Sequence, residues 1–409
     1  MPGTTSVTFL PSGLCVICEE ISGAESSAYE LCIPGGVVCE PDNLSGVSLL
    51  LAELVTRGAG EYDSRSLSDA FDRYGIRHSE SAGHDRFLLR GLCLKGDEER
   101  ALELLSLMVL HPGLHEDHIE SIRNLLLFDI ASLQDAPAER AALRLNERFF
   151  PGPHGRSPYG TSEGIRRVTA GDVRSEYRRR WLPHGSVLSL SGSRDSRRML
   201  DLVEELFSGW QGDASVVPVA APAPGGFYEH IEEQSSQLYV SAAFPSVPCT
   251  HAHYYAVRVF NEILSGGMYG RLFLELRERR GLCYAIQARY SASKENGTFY
   301  AHASTSPENA SALVEVLVDE LTHAGERISE EDLDRAKINL QTSLILGEEG
   351  VASSCAGNAS DWWLFRRIRP VKEIQDAIEK VSRDDIIEYI GNCPPSPLSL
   401  VSLGAGRVE

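Results

Sequence analysis

The chain repeats itself. GDEERALELLSLMVLHPGLHEDHIESIRNLLL (Gly96 to Leu127) and SPENASALVEVLVDELTHAGERISEEDLDRAKINLQ (Ser306 to Gln341) share one pattern. In each, a polar start precedes apolar residues spaced i, i+3, i+4, i+7, which is a helix with one buried face. After a short break, an acidic cluster opens a second helix: His115-Glu116-Asp117 in one copy, Ser329-Glu330-Glu331-Asp332 in the other. Upstream, helices are expected over Ser45–Thr56 and His253–Leu264, each followed closely by glycine, then strands over Arg86–Leu92 and Phe299–Ala303. Corresponding points lie roughly 210 residues apart, a period that indicates a duplicated α+β domain and not a solenoid of short repeats.

Length agrees with duplication, because a hydrophobic core stops growing near roughly 250–300 residues and this chain has 409. The boundary falls at Gln211 to Phe227, QGDASVVPVAAPAPGGF, whose Pro, Ala and Gly content makes a semi-extended linker. The expected domains are therefore residues 1–210 and 228–409, joined by a linker at 211–227.

Composition excludes several function classes. With 39 Lys+Arg against 58 Asp+Glu the formal net charge is −19, so no basic face is expected to neutralise nucleic-acid phosphates. Basic or amphipathic peptides and basic partners are electrostatically favoured instead. Nine cysteines, an odd number irregularly spaced, form no disulfide framework. Cys15-Val16-Ile17-Cys18 matches C-x-x-C, but no second pair accompanies it and the segment reads as a strand. No stretch of about 18 apolar residues is present to span a membrane, and Met1 to Pro11 carries no signal-peptide pattern. A reducing, cytoplasmic setting is the expectation.

Three segments carry a family resemblance. Asn43 to Ala59 reads NLSGVSLLLAELVTRGA, Ser157 to Leu182 reads SPYGTSEGIRRVTAGDVRSEYRRRWL, and Ser265 to Tyr284 reads SGGMYGRLFLELRERRGLCY. From about Pro41 onward the chain resembles the pitrilysin/insulinase zinc peptidases, the inverzincins, whose motif is H-x-x-E-H. The third segment matches the family's second-half signature over its whole length. In the family, two histidines one helical turn apart bind Zn²⁺, and the glutamate beside the second takes a proton from the zinc-bound water. Here the resemblance places the first His at Leu49, the Glu at Ala52 and the second His at Glu53. The family's further glutamate ligand, on a helix expected over Glu120 to Ile130, falls on Asp129, and Ile122 replaces another glutamate. No imidazole remains, and two carboxylates without nitrogen or sulfur make a poor zinc site. No metal is expected in this chain.

The second half departs from this loss. The resemblance assigns Arg277 and Tyr284, seven residues apart, to the pair that binds the substrate carbonyl and its developing oxyanion. Gly266 and Gly267 precede them and would permit close approach of a substrate strand. Bacterial and mitochondrial members often pair two chains of this length, one with zinc and one with the Arg/Tyr pair. The implied fold is α+β, two homologous domains forming a clamshell, each a mostly antiparallel sheet with helices packed on one face. The implied role is a pseudo-peptidase subunit in a heterodimer with a zinc-bearing homologue, or a homodimer. It would bind peptide by strand addition and supply Arg277 and Tyr284 in trans. The alternative is a non-catalytic scaffold or peptide-binding protein of the same fold. An independent metallohydrolase built on Glu53 and Asp129 is disfavoured, since neither base nor nitrogen ligand serves it. His115 with His118, and His251 with His253, read as helix-start residues in preference to metal pairs.

Overall fold

A computed structural model describes residues 4–213, 217–219, 225–348 and 350–408; parts of the expected linker, 214–216 and 220–224, lie outside them. The chain forms two compact α+β units.

The first unit is built on a six-stranded sheet in the order β1-β2-β8-β3-β7-β6. Its strands are β1 (Thr4–Phe9), β2 (Cys15–Glu20), β3 (Ser26–Pro34), β6 (Arg77–Ala82), β7 (Arg86–Leu94) and β8 (Val187–Gly192). All neighbours are antiparallel except β2 and β8. A small ribbon, β4 (Gly58–Ala59) with β5 (Tyr62–Asp63), lies between the first two helices. The second unit has a five-stranded sheet, β11-β12-β10-β13-β9, from β9 (Tyr228–Glu232), β10 (Leu238–Ser246), β11 (Ala285–Ala292), β12 (Gly297–Thr305) and β13 (Ser399–Gly404). Its single parallel pair, β13 with β9, sits where β8 and β2 sit in the first. Five strands correspond, β6-β7-β3-β8-β2 with β11-β12-β10-β13-β9, as duplication requires, and β1 is an addition to the first sheet.

The central strands, such as β2, β3 and β8, are buried on both faces, and the period of two sorts their side chains between two cores. In β2, Val16 and Cys18 face the main helical core, whereas Cys15 and Ile17 face away with Cys32 and Val187. Cys15 and Cys18 therefore point to opposite faces and cannot chelate one ion or form one disulfide. Burial holds both thiols up near 12, far from the reactive thiolate range.

Those outward apolar residues need cover, and it comes from the other half of the chain. The helix Val351–Phe365 belongs to the first unit, packing on β3 and β8 with Ala359 fully buried. Reciprocally, the helix Pro137–Phe149 belongs to the second unit, where Ala141, Leu145 and Phe149 meet Ala243, Val401 and Leu403. The units thus follow the halves 1–210 and 228–409 except for two exchanged segments, Ser132–Gly155 and Gly347–Ile368. Polar contacts fix each exchange. Glu19 accepts hydrogen bonds from Ser354 (2.6 Å), Asn358 (2.8 Å) and Ser191 (2.9 Å). Both adjacent tryptophans pack: Trp362 stands 5.7 Å from Phe9, and Trp363 Nε1 donates to Asp85 at 2.9 Å. Arg144 and Arg148 both donate to Glu229.

Candidate functional site

The helix expected to carry a metal motif spans Val47–Leu54. It starts from Gly46 at φ +107°, where a Cβ would lie 2.5 Å from Ile165, so only glycine fits. Its first N–H groups are satisfied by Glu40, which accepts from Gly46 N–H at 2.8 Å and Ser48 N–H at 2.9 Å. Glu40 is buried, and burial raises its carboxyl to about 7 despite these donors.

Leu49 and Glu53 do lie one turn apart, as the spacing predicts, but their surroundings are not those of ligands. Leu49 packs against the main core, and Ala52 is buried in it. Glu53 stands 3.7 Å from Arg57, just past the end of the helix. Asp129 lies half-exposed on the helix Ile119–Ser132, where Ile122 is buried core. Among the described residues no group of three or more His, Cys, Asp or Glu side chains could hold a metal ion. The donor set at these positions does not fit zinc, and no reaction step through zinc can be written for this chain.

The Arg/Tyr segment is differently built. The helix Tyr254–Ser265 ends at Gly266, where a Cβ would meet the Glu262 carbonyl at 2.4 Å. Gly267 follows at φ +77° with open space around it. The chain then forms a π-helix over Phe273–Arg279, a rare form found frequently at functional sites. Leu272, Leu276 and Cys283 anchor it in the core. Arg277 is left on the surface with its guanidinium carbon 4.8 Å from the Phe273 ring centroid and 5.1 Å from that of Tyr284. The structure thus brings together the two residues that the sequence paired. Tyr284 is 74% exposed, and no described residue hydrogen-bonds its phenol oxygen. A fixed cation beside a free phenol donor is an arrangement that can stabilise a developing oxyanion. Phe273, which stacks under Arg277, had no sequence signal beyond its position four residues earlier on a helix.

The two sheets end in four edge strands, β1 and β6 in the first and β9 and β11 in the second. Along β11, the Ala288 N–H is taken by Ser265 Oγ at 2.9 Å. Along β6 no described group caps the outer edge, so its backbone donors and acceptors are open to a partner strand. A Ser402–His230–Glu232 array, with both contacts at 2.9 Å, is not a hydrolytic triad, because Ser402 is fully buried and also bonded to Tyr228. No helix among the described residues is long and apolar enough to cross a membrane.

Comparison with known proteins agrees with this architecture. Residues 15–162 match the family described as Insulinase (Peptidase family M16), and residues 167–340 match the Peptidase M16 inactive domain. A Rickettsia felis protein named as an uncharacterized zinc protease is 25% identical over 389 residues, covering 93% of both chains. A Streptomyces coelicolor protein of the same description is 26% identical over 412 residues, 98% of this chain and 87% of the other. Among solved structures, a peptidase M16 inactive domain from Pseudomonas fluorescens superposes with a TM-score of 0.90 at 20% identity over 99% of each chain. A Helicobacter pylori protease gives 0.89 at 17% identity, over 98% of this chain and 100% of the other. With both domain models matched in order and the whole fold shared, this chain belongs to peptidase family M16, the insulinase family.

Proposed function

We propose that this chain is a pseudo-peptidase subunit that binds an extended peptide and lends Arg277 and Tyr284 to the zinc site of a homologous partner. The observation that carries the reading is a contrast within one molecule. The motif helix holds Leu49, Ala52 and Glu53 where a zinc peptidase needs two imidazoles and a base, yet a half-exposed Arg277 and an exposed Tyr284 stand paired. Arg277 supplies fixed positive charge and Tyr284 a phenol proton to the oxyanion formed when water attacks the scissile carbonyl; both act without a metal in this chain. Peptide would add as a strand along β6, main chain to main chain. Zinc and the general base belong to the partner, a homologue that keeps H-x-x-E-H.

The experiment combines the purified chain with such a homologue and follows cleavage of a quenched fluorescent peptide. Arg277→Ala and Tyr284→Phe should each slow cleavage by the pair about 100-fold, the scale of one lost oxyanion donor, with the pair still co-eluting in gel filtration. Undiminished cleavage with Arg277→Ala refutes the role in trans and leaves a scaffold of the same fold.

A further inference from the structure

Beside β6 lies a cavity of about 410 Å³, a size within the roughly 300–1,000 Å³ of small-ligand sites. Its polar lining comes from the turn after the motif helix (Thr56, Arg57), the helix Ser64–Arg73 (Ser64, Arg65, Ser68, Asp69) and β6 itself (His78). This is not the Arg277/Tyr284 site, and the strand-addition reading does not use it.

Several features converge on an anion. Arg57 Nε is buried and has no acceptor among the described residues, and the ion pair to Glu53 is long, 3.7 Å. That Nε is sealed from solvent, so an incoming carboxylate would meet the terminal nitrogens of this side chain, which is 40% exposed and only loosely paired with Glu53. Arg65 adds a second, exposed guanidinium in the first turn of the Ser64–Arg73 helix, at the positive end of its dipole. Asp63 caps that helix by accepting from Ser66 N–H, so the hydroxyls of Ser64 and Ser68 remain for a ligand. The His78 ring lies stacked on Phe71, centroids 3.9 Å apart, and its Nδ1 is held by Glu80 at 3.0 Å, which leaves Nε2. Asp69 is the one carboxylate in the lining, against the guanidinium groups of Arg57 and Arg65; the helix N-terminus is already taken by Asp63.

We infer that this cavity is a carboxylate-binding subsite, filled by an acidic side chain or the terminal carboxylate of a peptide added along β6. The inference rests on β6 as the peptide-binding edge. The chain's overall negative charge governs which peptides approach; the cavity selects one group on the peptide that docks.

Three labelled eight-residue peptides test it by fluorescence anisotropy on the full chain: one with a central Glu and an amidated end, the same with Gln, and the Gln peptide with a free carboxylate. A carboxylate in a half-exposed site with two guanidinium groups should tighten binding about fivefold over the Gln amide. Preference for the Glu peptide assigns a side chain, and preference for the free end assigns the chain terminus. Arg65→Gln, at an exposed position that spares the fold, should shrink the preference below about twofold, with circular dichroism unchanged. Equal affinities in the natural chain, or a preference that survives Arg65→Gln, overturns the subsite while the edge reading stands. If none of the three peptides binds, the edge reading itself fails and the subsite falls with it.

Discussion

Glu40 offers the sharpest test of how the motif helix is held. Its carboxyl lies near 7 in the folded protein against an ordinary 4.5, because burial outweighs the two N–H donors of Gly46 and Ser48. Folding therefore takes up a proton between pH 4.5 and 7. Stability from this group is fully present below 4.5 and is lost as pH rises through 7. The span amounts to about 3 kcal/mol, at 1.36 kcal/mol for each unit. Glu40→Gln removes that dependence. It also leaves one helix N–H without an acceptor, a loss of about 1–2 kcal/mol at every pH. The variant should thus be clearly less stable at pH 5 and level with or above the natural chain at pH 8. All four tryptophans, 181, 210, 362 and 363, lie in the first unit, so tryptophan fluorescence in urea reports that unit alone. Midpoints of the two proteins that move in parallel from pH 5 to pH 8 would refute a protonated, buried Glu40.

Three other outcomes follow from the same structure. Glu19→Ala strips three donors, Ser191, Ser354 and Asn358, of their acceptor, and should lower the stability of the first unit by about 2–4 kcal/mol in the same urea assay. An engineered protease site in the Gln211–Phe227 segment should yield two fragments that co-elute in native gel filtration and separate only in denaturant, since each unit incorporates a helix from the other half; free halves after cleavage would contradict the exchange. Of the nine cysteines eight are buried, so a thiol reagent should titrate at most Cys393 natively and all nine in denaturant; rapid reaction of Cys15 or Cys18 would contradict the burial described.

How much of this was legible beforehand differs by element. Helices at Val47–Leu54 and Tyr254–Ser265, and strands β7 and β12, fall where periodicity placed them, with no end moved by more than two residues. The paired Arg277 and Tyr284 were visible through a long signature, though the π-helix that presents Arg277 was not, because its hydrogen-bond register leaves no distinct residue pattern. Glu40 carried no signal either: its role exists only because the chain folds it back beneath Gly46 and Ser48.

Sequence alone determined the duplication, the α+β class, the absence of imidazole from the motif helix, and the family, since all of these rest on residue type and local spacing. Tertiary structure decided the rest. Apolar residues on both faces of β2, β3 and β8 announce that the sheet is covered twice, but not by which helix. The Val351–Phe365 helix reaches that face from more than 150 residues beyond β8, and the Pro137–Phe149 helix crosses the other way. Burial of apolar surface is non-directional and carries no address in sequence. It is the complementary polar contacts, Glu19 with Ser354 and Asn358, Arg144 and Arg148 with Glu229, that specify which helix covers which sheet, and these appear only once the strands have paired.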